Sequence, residues 1–81
     1  MSVIVLKSAL KDIAKLDNKM RDRIFNAIKR LARGEIKPNK LKGDDKGYKI
    51  PVGKYRILWK YKKEDITISR VKLRKEVYRN L

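Results

Sequence analysis

Whatever chemistry this chain performs has to be built from cations and phenols. Its 81 residues include 24 Lys and Arg and four Tyr, with no His and no Cys. The missing imidazole removes the usual general base and the usual metal ligand together. The missing thiol removes disulfides, cysteine nucleophiles, zinc fingers and iron–sulfur sites. The residues that remain suit phosphate chemistry. An Arg fork can hold two phosphate oxygens, a Lys supplies a compact charge, and a Tyr can stack on a base or exchange a proton.

The charge balance points the same way. Only nine Asp and Glu oppose the 24 cations, which leaves +15 at pH 7 and a pI near 10.4. So much like charge on a small body repels itself, and either a polyanionic substrate or an acidic protein partner would relieve it. Adaptation to heat would raise Glu together with Lys, yet Glu occurs only as Glu35, Glu64 and Glu76. The apolar fraction of 42% is that of an ordinary folded domain, and the length allows one domain, 1–81. No apolar run approaches the roughly 20 residues of a membrane span. The opening Met1 to Leu6, followed by Lys7, lacks the cationic start of a leader peptide. The expectation is a cytoplasmic protein with no membrane partner, and no repeat or linker divides it.

The positioning elements follow from periodicity. Val3 to Leu6 reads as a strand, and Ser8 as the cap of a helix with Leu10, Ile13 and Ala14 on one face. Asp17-Asn18 breaks that pattern and caps a second helix with Met20, Ile24, Ala27, Ile28 and Leu31 on a stripe. Gly34 stands where a C-terminal cap belongs. Glu35 to Lys46 has loop composition, with Pro38, Asn39, Gly43 and Asp44-Asp45. From Gly47 the period becomes two: Tyr48, Ile50 and Val52, then Tyr55, Ile57, Trp59 and Tyr61. Lys62 to Asp65 is a polar turn, and Ile66 to Val71 is a last strand. Arg74 to Leu81 is a short helix or turn. The order β-α-α-β-β-β gives an α+β fold, with a helical hairpin on one face of a small, mainly antiparallel sheet. Tyr55, Ile57 and Trp59 form the landing surface for the helices, so Arg56, Leu58 and Lys60 point to the other face.

Three stretches carry a resemblance: Leu41-Lys42-Gly43, Gly47-Tyr48-Lys49-Ile50 with Val52-Gly53-Lys54-Tyr55-Arg56-Ile57, and the ending Arg70-Val71-Lys72-Leu73-Arg74-Lys75-Glu76-Val77-Tyr78. Together with the element order they resemble the RelE/ParE toxin superfamily over essentially the whole chain, and its RelE-type branch in particular. The resemblance implies a toxin of a type II toxin–antitoxin system that binds an antitoxin, often one acidic in the segment that wraps it. By that resemblance, many RelE-type members enter the ribosomal A site and cut the messenger there, while ParE-type relatives with the same fold poison DNA gyrase. Fold alone does not separate these outcomes.

For the RelE-type activity the resemblance points to Arg56, Lys72, Arg74 and Tyr78 as catalytic, with Lys49, Lys54 and Arg70 as substrate contacts. RNA carries its own nucleophile, the 2′-hydroxyl. An enzyme has to align it, help remove its proton, stabilise charge on the phosphorus oxygens and protonate the leaving 5′ oxygen. Fixed cations can do much of this, so no cofactor is implied. A phenol has a pKa near 10 and is about 0.1% ionised at neutral pH, and cations beside it would lower that value. Two positions depart from the family pattern. Leu73 stands where many relatives carry histidine, and Pro51 where some carry a second lysine. A weakened or ribosome-dependent nuclease is therefore expected, and a regulatory RNA-binding module stays open as an alternative. Lys11, Lys15, Lys19, Arg23, Lys29, Arg30 and Arg33 lie on the helices and read as solvated faces that could also grip ribosomal RNA phosphates.

Overall fold

β-Branched Val3, Ile4 and Val5 form strand β1 (Val3–Val5), and the chain turns directly into helix α1 (Lys7–Ala14). The computed structural model describes residues 2–38 and 47–79, the last two of these by backbone alone. The expected Leu41-Lys42-Gly43 motif, most of the expected loop and Leu81 lie outside the described residues. Helix α2 (Asn18–Ala32) follows, then strands β2 (Tyr48–Val52), β3 (Tyr55–Lys62) and β4 (Asp65–Leu73), and a short helix α3 (Arg74–Arg79).

The sheet order is β1-β4-β3-β2. Strands β2, β3 and β4 form an antiparallel meander, whereas β1 pairs in parallel with β4. A parallel pair needs a long crossover, and here the crossover is everything between the first and last strands. The expected architecture therefore holds, with β4 running two residues further at its C-terminal end than the periodicity indicated.

Helix α2 starts and stops where its sequence says it should. The Asp17 side chain accepts from the Met20 amide at 2.8 Å, which satisfies one of the amides a helix start leaves unpaired. At the other end Gly34 takes φ +76°, with its amide donating to the Leu31 carbonyl and the Glu35 amide to that of Arg30. This is a Schellman termination. Helix α1 corrects the expectation. Its N-cap is Leu6, which makes no side-chain cap bond. Ser8 lies inside the first turn and donates instead to the Ser69 carbonyl at 2.7 Å. The buried face is also rotated from the one expected: Ala9 and Ile13 enter the core, while Leu10 is 47% exposed.

The core lies between the two helices and one sheet face. Ile24, Ile57, Trp59, Ile66 and Ile68 are its largest fully buried side chains, each worth roughly 1.5–3 kcal/mol of burial. Trp59 is fixed further by aromatic neighbours, since Tyr48, directly opposite it on β2, stacks at 4.6 Å and Tyr61 meets it edge-on at 5.1 Å. Helices α1 and α2 pack on β4 and β2, and α3 rests against β3 and β4. No described helix is long and apolar enough to cross a membrane.

One edge of the sheet is closed by side chains. Strand β1 runs out at Val5, opposite Ile68, and the Leu6 amide makes the last backbone bond, to the Ile68 carbonyl. Beyond that point Asp12, one turn after Ser8 on α1, accepts from the Val71 amide at 2.9 Å. The same carboxylate takes two bonds from Arg70, Nε at 2.8 Å and Nη2 at 3.1 Å. Burial acts to raise the Asp12 pKa, but the bonds from Arg70 and the Val71 amide, with the charges of Arg70 and Lys72, outweigh it. The net result holds the carboxyl below its ordinary range, and Arg70 is correspondingly raised by its bond to Asp12.

A Cβ on Gly47, at φ +86°, would lie 2.7 Å from the Trp59 carbonyl oxygen, whereas around Gly34 nothing lies within 4 Å. Gly34→Ala should cost only the left-handed backbone penalty of about 1–2 kcal/mol, and Gly47→Ala clearly more, by urea unfolding; equal costs would contradict the clash. A carboxyl depressed on folding contributes stability above its unfolded pKa and loses it as pH falls through the folded one. The stability gap between wild type and Asp12→Asn should therefore be full above the ordinary carboxylate range and narrow as the pH falls through and below that range. A gap that stays constant over that range would contradict the pairing.

Candidate functional site

Pairing in the meander decides which side chains meet. Residues opposite one another on antiparallel strands share a face, with Cβ atoms about 4.5–5.5 Å apart. Ile57 pairs with Val71 on the core side, so the alternating positions fall on the outer face, turned away from α1 and α2. Two cross-strand rows result. Pro51 on β2, Arg56 on β3 and Lys72 on β4 form one, and Lys49, Leu58 and Arg70 form the next. A β-bulge lies at the end of the second row, between Leu58 and Trp59. It absorbs Ser69 and lets core-facing residues stand on both sides of the irregularity.

Arg56 is aimed by its own turn. Its Nη1 donates to the carbonyls of Gly53 at 3.0 Å and Tyr55 at 2.8 Å, leaving the other nitrogens of the fork for a ligand. Its direct neighbour Lys72 is half-buried and lies 3.9 Å from the Glu76 carboxylate on α3. Lys49 is half-buried on the same face, diagonal to Arg56 across the Leu58 side chain. Lys54 and Arg74 come together at one end of the sheet. The Arg74 amide donates to the Lys54 carbonyl at 2.8 Å, which ties the start of α3 to the β2–β3 turn. The Lys54 Nζ sits 5.9 Å from the centre of the Tyr55 ring, and the Arg74 side chain is exposed.

Arg70 is placed differently from the rest. It starts on the outer face opposite Leu58, but its guanidinium turns past the edge of β4 to Asp12. Tyr78 lies on α3, one helical turn after Arg74, and its side chain lies outside the described residues. The structure thus brings Arg56, Lys72 and Lys49 together on one face, sets Arg74 and Lys54 at its end, and pairs Arg70 with an internal carboxylate. Sequence reasoning missed Asp12 and Glu76, the two acids beside these cations. Asp12 could not be singled out because its partners lie 58 and 59 positions away in the chain. Glu76 offered a weak signal as the one acid in a strongly basic ending.

Pro51 and Leu73 now have places. Pro51 occupies the row of Arg56 and Lys72, so an apolar ring stands at the position where the resemblance implied a second lysine. Leu73 stands opposite Tyr55 at the end of β4, beside the row rather than in it. No group of three or more potential metal-ligating side chains occurs among the described residues. The arrangement is a set of fixed positive charges on a strand scaffold, suited to holding and neutralising a phosphodiester.

Comparison with known proteins bears on the family and the fold. Residues 3–78 match the family model described as the ParE toxin of the type II toxin–antitoxin system, parDE. Among solved structures, the chain superposes on the RelB-RelE antitoxin–toxin complex from Methanococcus jannaschii with a TM-score of 0.77 at 26% identity, covering 96% of this chain and 98% of that one. The isolated RelE toxin of E. coli gives 0.70 at 27% identity, over 98% and 92% of the two chains. The YoeB/ParE toxin from Agrobacterium tumefaciens gives 0.71 over 90% and 98%, and at 18% identity it speaks for the fold alone. No significant sequence match is found among curated proteins. With the family model spanning nearly the full length and the fold shared with both branches, the chain belongs to the ParE toxin family of type II toxin–antitoxin systems, within the RelE/ParE superfamily.

Proposed function

We propose that this toxin is an endoribonuclease that cleaves messenger RNA, working in the ribosomal A site and silenced by a cognate antitoxin. The observation that carries the reading is the direct cross-strand pairing of Arg56 with Lys72 on the outer face. Cross-strand partners of this kind have Cβ atoms about 4.5–5.5 Å apart, a spacing from which two long cationic side chains can reach one phosphodiester.

In this reading the RNA 2′-hydroxyl attacks the neighbouring phosphorus as its proton passes to the deprotonated phenol of Tyr78, and the P–O5′ bond breaks as the Lys72 ammonium gives its proton to the 5′ oxygen, leaving a 2′,3′-cyclic phosphate and a free 5′-hydroxyl. Arg56 binds the non-bridging oxygens with its free nitrogens and gains strength as their charge grows. Lys72 neutralises the leaving oxygen, and Arg74, at the start of α3, approaches the same phosphate from the end of the sheet. Lys49 and Lys54 hold flanking phosphates, and Leu58 offers an apolar floor. With no imidazole in the chain, proton transfer is the weak link, so the ribosome's alignment of the messenger matters more here than it would in an enzyme with a histidine. The antitoxin complexes among similar structures and the +15 charge together support an acidic partner that covers this face.

The matching family model is described as a ParE toxin, which supports a second reading: the resemblance implies that ParE-type members block DNA gyrase. That activity needs no aligned Arg and Lys on the sheet. The two separate experimentally. Induction in cells should halt protein synthesis and leave transcripts with new 5′ ends inside codons, mapped by primer extension. Arg56→Ala should slow cleavage about 10²- to 10³-fold, and Tyr78→Phe about 10²- to 10⁴-fold, with both variants still folded. Intact transcripts during growth arrest, with gyrase supercoiling blocked at stoichiometric toxin, would decide for the second reading.

A further inference from the structure

The geometry points to Asp12 as a positioning residue of the cationic face: by gripping Arg70 and the Val71 amide together, it fixes the stretch of β4 that sets Lys72 beside Arg56. The holding role follows from the contacts themselves. What the fixed row is used for rests on the ribonuclease reading above.

Past Ile68, no strand among the described residues pairs with β4 on its β1 side. An edge left bare there would fray or recruit a foreign strand. Ser8 and Asp12, one turn apart on α1, take the place of the missing backbone, one donating to the Ser69 carbonyl and the other accepting from the Val71 amide. The Asp12 side chain is only 12% exposed, so removing it leaves the Val71 amide without a partner in a poorly solvated place. Lys72 is the next residue. On its other side it is held by the pairing with Arg56, and the chain is pinned again where the Arg74 amide meets the Lys54 carbonyl. Asp12 is therefore what closes the frame around Lys72 from the free edge. It lines a cleft of about 240 Å³ with Tyr55, Arg70, Lys72 and Glu76 among others.

The same carboxylate also decides which cations an RNA meets. Both forks of the Arg70 guanidinium interaction end on Asp12, so an incoming phosphate finds Lys72 and Arg56 rather than Arg70. Releasing Arg70 would add a binding charge while loosening the row. Binding and cleavage should then move in opposite directions, which a residue that merely stabilised the fold would not cause.

The test compares wild type with Asp12→Asn, Asp12→Glu and Asp12→Ala. Affinity is read by anisotropy with a labelled single-stranded RNA oligonucleotide, and cleavage by single turnovers of a messenger on programmed ribosomes at saturating toxin. Asp12→Asn should bind the oligonucleotide more tightly, yet cleave roughly 10- to 100-fold more slowly at saturation, with Asp12→Glu recovering much of the rate. A saturated rate equal to wild type overturns the positioning role. Amide hydrogen exchange tests the holding role independently. Asp12→Ala should lose protection at Val71 to Leu73 while Ile24 to Leu31 in α2 stay protected. Unchanged protection at Val71 overturns the proposal whether or not the protein cuts RNA. If wild type leaves the messenger whole, the ribonuclease reading falls, and the exchange result alone decides the role of Asp12.

Discussion

Strand β4 is longer than the strand beside it, and the rest of the structure depends on how that mismatch is resolved. Strand β1 covers three residues of β4 and stops. The remainder carries Arg70, Lys72 and the approach to α3, the cationic ending of the chain. Ser8 and Asp12 turn the first helix into a substitute strand, offering a hydroxyl and a carboxylate where a neighbour would have offered backbone groups. Because the carboxylate also binds Arg70, the contact that closes the sheet edge also organises charge on it. In a molecule of +15, a half-buried acid surrounded by cations is one of the few attractive electrostatic contacts available, and its depressed pKa records that attraction.

The fold was legible because its signals are local. The change of period from 3.6 to 2 at Gly47 marks the passage from helices to meander, and Asp17 and Gly34 mark the ends of α2. Alternation alone placed Ile57 and Trp59 in the core and Arg56 on the opposite face. The misplaced details are those set by distant partners. Ser8 has the composition of a cap, yet its hydroxyl is claimed by Ser69, 61 positions away. That long-range bond outcompetes a local cap and lets Leu6 begin the helix. The buried face of α1 shifted from Leu10 to Ala9 for a related reason: the helix lies close against β4, where a small side chain fits and a leucine does not. The pairing of Arg56 with Lys72 depends on strand register, which composition does not carry.

The site residues divide along the same line. Residue type and motif spacing singled out the cations, and the structure gathers Arg56, Lys72 and Lys49 on one face. Neither type nor spacing could say that Arg70 would be taken up by Asp12, or that Glu76 would stand beside Lys72. These acids engage two of the cations that a count of positive charges would treat alike. The superfamily uses one scaffold for unlike targets, so function has to be read from such details. Here Pro51 thins the row, and the row keeps its Arg and Lys.

In the proposed reaction, fixed cations let an RNA strand break itself through its own 2′-hydroxyl. The direct measurement is cleavage of a ribosome-bound messenger carrying a single 2′-deoxynucleotide at the scissile position, beside the all-ribose messenger. The account predicts that the all-ribose strand is cut to a cyclic phosphate and a 5′-hydroxyl, and that the deoxy strand is bound equally well and left whole. Cleavage of the deoxy strand at a comparable rate, or products ending in a 5′-phosphate, would contradict it.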